Sequence, residues 1–215
     1  NKKNITAATI KANAYGLGSI IVYKILYQSG CRHFFVATVN EGIELRDNYK
    51  KGNIYILNGT EDNKLNIFKK YNLIPIINDI KEAKLIANKK IKYGLHIDTG
   101  INRLGCNFNQ INKELTYSNN LNLVISHLAS ADEYNNHYNI LQKEKFKKLI
   151  KKINNKKITF SLSNSHGALI SKDFLFDMIR PGISIYGGHN NSSKIKKYIK
   201  PVIKLKAKIL QIKKI

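Results

Sequence analysis

Eight short β-prone runs recur along the chain, each followed by a polar or glycine signal and then a helical pattern. They are Ala8 to Lys11, Phe34 to Val39, Ile54 to Leu57, Ile74 to Ile77, Tyr93 to Ile97, Leu121 to His127, Ile158 to Leu162 and Asp177 to Ile179. The gaps between them are long enough for crossover helices, which parallel strands require and hairpins do not. Two gaps carry the clearest helical patterns. Asp79 to Lys89 opens on an aspartate placed as N-cap, with Glu82 three residues on as the expected capping-box partner. Asn136 to Ile153 carries an apolar stripe of Ile140, Phe146, Leu149, Ile150 and Ile153. Eight such units predict an α/β fold, a (β/α)8 barrel of the TIM type. The competing arrangement is an open doubly wound sheet, which needs a point where strand order reverses.

The 215 residues suit one sizeable core, and the 43% hydrophobic content excludes a disordered chain. The barrel is expected over residues 1–190. Residues 191–215 read as a linker and the start of a second domain. Asn190 to Ser193 is a polar break, and Ile195 to Tyr198 a short helical piece. Val202, Leu205, Ala207, Ile209 and Ile212 then alternate with lysines, which predicts one long strand with a wet face over Pro201 to Ile215. It reads as the opening strand of a C-terminal β-domain that the chain does not contain.

The longest apolar runs, such as Leu73 to Ile77, are far too short to cross a bilayer, and no signal peptide is visible. Cys31 and Cys106 have no metal-binding spacing, which predicts free thiols in the cytoplasm. The formal net charge of +23 would attract nucleic acid non-specifically. Its lysines are scattered in pairs such as Lys50-Lys51, Lys89-Lys90 and Lys151-Lys152, without a basic block or interleaved aromatics. Neither a nucleic-acid nor a membrane partner is expected. Only four arginines survive among these lysines: Arg32, Arg46, Arg103 and Arg180. Where charge alone mattered lysine would serve, so these four are candidates for planar, bidentate work.

In barrels of this kind the chemistry sits at the C-terminal ends of the strands. The expected strand-end residues are Lys11, Asn40, Asn58, Asn78, Asp98, His127, Asn164 and Arg180. Lys11 precedes Ala12-Asn13-Ala14-Tyr15-Gly16-Leu17-Gly18, a glycine-loosened turn, and is a placed amine rather than a solvated one. A neutral lysine amine can attack an aldehyde. Across the barrel, Ser163-Asn164-Ser165-His166-Gly167 and Arg180-Pro181-Gly182-Ile183 offer backbone N–H groups and a serine hydroxyl, a cradle for phosphate. Ser165 could equally be a helix N-cap. A lysine on one side and a phosphate site on the other suggest an aldehyde cofactor with a phosphate tail, and pyridoxal phosphate is one.

Together these stretches resemble the alanine racemase family. The matching segments are Lys11 to Gly18, His96 to Gly105, Ser126 to Glu133, Asn164-Ser165, Asp177 to Gly187 and Pro201 to Lys206, in family order across nearly the whole chain. The resemblance implies an isomerase that interconverts L- and D-alanine with pyridoxal phosphate, for peptidoglycan precursors, as a cytoplasmic homodimer. It implies that Lys11 holds the cofactor as an internal aldimine and is a catalytic base. It implies that Tyr15, Ser165, Gly182 and Ile183 hold the phosphate, that Arg180 faces the pyridine nitrogen, and that His127 and Asn164 line the ring. Arg103 would bind the substrate carboxylate. Two departures stand out. His96 occupies the place of a lysine, often carbamylated, that family members usually carry seven residues before this arginine. The family's second base, a tyrosine of the C-terminal domain acting across the dimer, would lie beyond Ile215, and the family's helix before strand one is absent. The sequence therefore leaves open a cofactor-binding barrel without full racemase activity, or a racemase for another amino acid.

Overall fold

The computed structural model describes residues 4–61, 64–111, 118–189 and 199–214. The β-prone runs form strands β1 (Ile5–Thr9), β2 (His33–Val36), β3 (Asn53–Ile56), β4 (Ile74–Ile77), β5 (Tyr93–Asp98), β7 (Leu121–Ile125), β8 (Thr159–Ser161) and β9 (Met178–Ile179). A two-residue strand, β6 (Cys106–Asn107), lies against β5 and was not legible as a strand. The main sheet runs β8-β7-β5-β4-β3-β2-β1-β9 with every pair parallel. Its two ends meet. The N–H of Asp177 donates to Phe160 O at 3.1 Å and that of Arg180 to Ser163 O at 2.9 Å, with a parallel bridge between Asn164 and Arg180. These bonds join the last two strands and nearly close an eight-stranded barrel, so the open-sheet alternative does not hold.

Successive residues on a strand face opposite ways, and the core divides accordingly. Ala7, Phe35, Tyr55, Ile74, Ile76, Leu123, Ile125 and Met178 fill the barrel interior. Phe34, Ile54, Ile56, Ile77 and Leu95 point outward and pack in a second, larger cluster with Tyr23, Leu45, Phe68, Phe146 and Leu149 of the helices. Those helices are α2 (Ser19–Gln28), α3 (Val39–Asn48), α4 (Leu65–Lys70), α5 (Ile80–Ala87), α6 (His137–Ile153) and the short α7 (Gly167–Ile170). The segment α1 (Lys11–Tyr15) is a single left-handed turn.

Several expected boundaries shift. β1 starts at Ile5 and stops at Thr9, so Lys11 lies in the turn rather than on the strand. Val39 opens α3 instead of ending β2, because the Thr38 hydroxyl caps the helix there. Asp79 caps α5 as expected, its Oδ1 accepting from the N–H groups of Lys81 and Glu82. Glu82 does not return to that cap; its carboxylate accepts from the Thr60 N–H at 2.7 Å and from the Thr60 hydroxyl. The stripe on α6 is also rotated. Ile140 is 48% exposed, while Asn139 and Gln142 are buried because they bond the neighbouring loops.

At the bottom of the barrel, the buried Arg46 spends all five N–H donors on main-chain oxygens of Tyr49, Lys51, Gly52, Tyr71 and Asn72. It ties α3 to the loops entering β3 and β4. The expected break at Asn190 to Ser193 and helix at Ile195 to Tyr198 lie outside the described residues. The expected strand over Pro201 to Ile215 is not formed: residues 199–214 carry no helix or strand, and Leu205 and Leu210 are over 90% exposed. No strand lies beside this segment among the described residues, and without ladder partners nothing offsets the entropy of extending it.

Candidate active site

A cavity of about 280 Å³ opens at the C-terminal end of the strands. Lys11, Tyr15, Arg103, His127, Asn164, Ser165, Arg180, Gly182 and Ile183 all line it, together with His96, Asn58, His166 and Leu104. Of the other expected strand-end residues, Asn40 sits exposed on α3 and outside the cavity. Asp98 folds the loop after β5 instead, its Oδ1 accepting from the N–H groups of Gly100 and Asn102.

Lys11 begins the left-handed turn. Ala12, Asn13, Ala14 and Tyr15 have φ between 51° and 56°, and Gly16 follows at 89°. Each L-residue in this conformation costs about 1–2 kcal/mol. Local bonds hold the turn: Ala14 N–H to Ile10 O and Gly16 N–H to Ala12 O, both at 2.9 Å, and Ser19 N–H to Asn13 Oδ1 at 2.8 Å. The lysine thus projects from a rigid, strained loop rather than from a mobile one.

Beside it, past the β1–β9 pairing rather than across the barrel as the sequence suggests, Ser165 Oγ accepts from the N–H of Gly182 at 2.8 Å and of Ser184 at 3.2 Å. With two N–H groups taking up its lone pairs, the Ser165 hydroxyl has its own proton to donate, which suits this corner to an anion. Ser165 is therefore no helix cap; α7 starts after it, and Asn164 Oδ1 accepts from the Gly167 N–H. Tyr15 roofs the cradle, its ring 4.9 Å from that of Tyr186. A Cβ added to Gly182 would come within 2.5 Å of the Tyr15 hydroxyl. Burial raises the Tyr15 pKa, so the hydroxyl keeps its proton and can donate.

Arg180 is buried under the cavity floor. Nη1 donates to Ser161 O at 2.8 Å and to Ser161 Oγ, and Nη2 to Ser126 O and to Leu162 O at 3.3 Å. These acceptors are neutral, and burial alone pushes the guanidinium down to about 9, which leaves it charged at pH 7. Its Nε–H has no partner among the described residues, and Arg180 lines the cavity.

Two histidines complete the floor. His96 Nδ1 lies 2.9 Å from Asn78 Oδ1. The Asn78 amide nitrogen donates to Leu57 O and Ile76 O, so its oxygen must accept and Nδ1 of His96 must carry the proton. Nε2 of His96 is then a bare lone pair, buried and without a partner among the described residues. Burial first, and then the charge of Arg180, push His96 down to about 4. His127, 3.4 Å from Asn164 Nδ2 through its Nε2, is pushed down to about 3 by burial and by Arg180 and Arg103. Both rings are neutral at pH 7. Arg103 stands exposed at the rim. Sequence reasoning missed Ser184, whose N–H completes the cradle, and Glu41, whose contact with the Lys11 turn has no local signal. Asn78 was read only as a strand-end residue.

Among the described residues no helix is long and apolar enough to cross a membrane, and no group of three or more His, Cys, Asp and Glu could hold a metal ion.

The family model described as the alanine racemase N-terminal domain matches residues 1–190. Alanine racemase of Rickettsia bellii (strain RML369-C) is 38% identical over 223 residues, covering 98% of this chain and 54% of that protein. Alanine racemase of Rickettsia canadensis (strain McKiel) is also 38% identical, over 86% of this chain and 55% of that protein. The crystal structure of alanine racemase from Bartonella henselae with covalently bound pyridoxal phosphate matches with a TM-score of 0.83 at 29% identity, covering 92% of this chain and 60% of that one. The alanine racemase of Clostridium difficile 630 matches with the same TM-score at 27% identity. The chain spans about half the length of the curated relatives it matches. Fold and site define a class: a parallel (β/α)8 barrel with a lysine after its first strand and an N–H cradle after its last two. The chain belongs to the alanine racemase family, matching its N-terminal domain.

Proposed function

We propose that this chain is the cofactor-holding barrel of a pyridoxal-phosphate-dependent alanine racemase, an isomerase acting on L- and D-alanine. The observation that carries the reading is one cavity lined by Lys11, by Ser165 and Gly182 of the cradle, and by Arg180. The residues present fit the cofactor. The cradle and the Tyr15 hydroxyl suit a phosphate dianion, because the Ser165 and Tyr15 hydroxyls can both donate to it. Gly182 and Ile183 bring their main chain close to it. When bound, pyridoxal phosphate supplies an aldehyde that links to an amine and a ring that draws electrons from the substrate's α-carbon.

The chain's own groups then divide the work. Lys11 takes or returns a proton at Nζ on one face of the α-carbon. Arg180 would hold the ring nitrogen through Nε–H. A guanidinium does not readily give up or take a proton, so it keeps the ring a weak electron sink and favours reversible proton exchange. Arg103 would pair with the substrate carboxylate from the rim. Asn164 and His127 would line the ring, and the neutral histidines offer acceptors, not acids.

The proposed role is D-alanine supply for peptidoglycan in the cytoplasm, with alanine as the small-molecule substrate. Relatives named alanine racemase support that substrate. The proposed assembly is a homodimer, supported by Leu104 and Ile183 at the mouth and Leu17 after the Lys11 turn, each over a third exposed. The test is incubation with pyridoxal phosphate, borohydride reduction and peptide mapping. Label concentrated on the Lys11 peptide is expected, and label spread evenly over surface lysines would overturn the reading.

A further inference from the structure

The main chain of the left-handed turn bonds almost entirely to itself and to residues just outside it. Among the described residues, one hydrogen bond ties the backbone of residues 11–18 to another β/α unit. The N–H of Ala12, directly after Lys11, donates to Glu41 Oε1 of α3 at 2.6 Å. Glu41 is itself fixed from several sides. Its Oε2 accepts from the N–H groups of Ala37 at 2.7 Å and Thr38 at 3.2 Å, and its own N–H donates to Thr38 Oγ1 at 3.3 Å. Ala37 lines the same cavity as Lys11. One carboxylate thus clasps the loops after β1 and β2 together, at the residue next to the amine.

The next units repeat the device. Glu61 accepts from the Val39 N–H at 3.1 Å and Glu82 from the Thr60 N–H at 2.7 Å. Only the clasp from Glu41 reaches the loop that bears the lysine. A strained turn keeps an unfavourable conformation only while its surroundings over-determine it. We propose that Glu41 is the positioning residue for Lys11: by holding the Ala12 N–H it fixes the turn, and so fixes where the amine meets an aldehyde ligand. The inference rests on the cofactor reading above. Both carboxylate oxygens accept from main-chain donors. A glutamine can offer only one oxygen, and its NH2 would face a donor.

The 215-residue chain, Glu41→Gln and Thr38→Ala are compared with two ligands. Pyridoxal phosphate with borohydride trapping reports the amine's reach, read as labelling rate at the Lys11 peptide. Pyridoxine phosphate lacks the aldehyde and reports the cradle, which follows β9, the strand paired with β1. Glu41→Gln should slow Lys11 labelling on the order of tenfold to a hundredfold, as a small misplacement of a reacting group does, while pyridoxine phosphate affinity falls far less, because Tyr15 is the one residue of the turn that roofs the cradle. Thr38→Ala removes the acceptor of the Glu41 main-chain N–H but keeps the carboxylate's bonds to the Ala12, Ala37 and Thr38 N–H groups, and should slow Lys11 labelling far less than Glu41→Gln. Labelling of Glu41→Gln at the original rate would overturn the proposal. So would a parallel loss of pyridoxine phosphate binding, since Glu41 would then support the whole barrel. An unaltered chain that binds neither ligand would overturn the cofactor reading itself, and the Glu41 proposal with it.

Discussion

Nδ1 of His96 stands 2.9 Å from Oδ1 of Asn78, and the two carbonyls behind the asparagine leave that oxygen no role but acceptor. The imidazole is locked as a neutral tautomer with Nε2 bare. The cavity thus holds an uncharged acceptor within the field of Arg180 and Arg103.

That arrangement makes stability depend on pH. The unfolded chain protonates both histidines near pH 6.5, while the folded chain does so only at about 4 for His96 and about 3 for His127. Between those values the unfolded state binds more protons, so unfolding free energy falls as pH drops. Urea unfolding should lose on the order of 4 kcal/mol between pH 7 and pH 5, about half from each ring. His96→Gln should flatten that decline; an unchanged slope would show that His96 is not buried as a neutral ring.

The cradle has a tight roof. Gly182→Ala would set a methyl 2.5 Å from the Tyr15 hydroxyl and 3.2 Å from its Cζ, so the phenol must swing away. The backbone at Gly182 has φ of −127°, which any residue adopts, so the fold should tolerate the change. Affinity for pyridoxal phosphate should fall by about tenfold, the loss of one hydrogen bond to a charged group. Pyridoxal without phosphate should bind as before. Equal losses for both would place the effect elsewhere.

Gln142 shows how a buried polar residue can serve loops. Its Oε1 accepts from Ala129 N–H at 2.9 Å, and its Nε2 donates to His127 O at 2.9 Å and Thr99 Oγ1 at 3.2 Å. Gln142→Leu keeps the volume but strands these partners. Thermal and urea unfolding should register a loss of about 1–3 kcal/mol. A neutral substitution would mean that water replaces all three bonds.

The barrel was legible because its period is repetitive: eight apolar runs at crossover spacing leave few alternatives. Lys11, Ser165, Gly182 and Arg180 were legible because each stands in a short motif at a strand end. What stayed hidden is set by neighbours distant in sequence. Nothing in Ala12-Asn13-Ala14-Tyr15 announces a left-handed turn, since these residues ordinarily prefer right-handed backbone. Glu82 has the spacing of a capping-box partner for Asp79, yet Thr60 offers it a better place. Glu41, in an unremarked Thr38-to-Glu41 capping box, takes the role expected of Glu82. Asn139 and Gln142 displaced Ile140 from the buried face because loops after β7 needed their hydrogen bonds.

Arg46 and Arg180 show that surviving arginines can mean two things. Both are buried, and both spend their forks on neutral oxygens. Arg46 lies at the bottom, bonded to five carbonyls and far from the cavity lining. Arg180 lies at the top, its terminal nitrogens bonded to Ser126, Ser161 and Leu162 at the ends of β7 and β8, and it lines the cavity. A lysine has three donors on a compact ammonium and cannot reproduce either fork. Arg46→Lys should therefore cost about 2–4 kcal/mol, the loss of two or more charge-assisted bonds, and leave pyridoxal phosphate binding as it was. Arg180→Lys should lower stability by a similar amount and also shift the absorbance of the bound cofactor, because the group facing its ring changes. Urea midpoints and cofactor titrations on the two variants give four readings. A cofactor defect in Arg46→Lys, or none in Arg180→Lys, would reverse the assignment of one arginine to the scaffold and the other to the site.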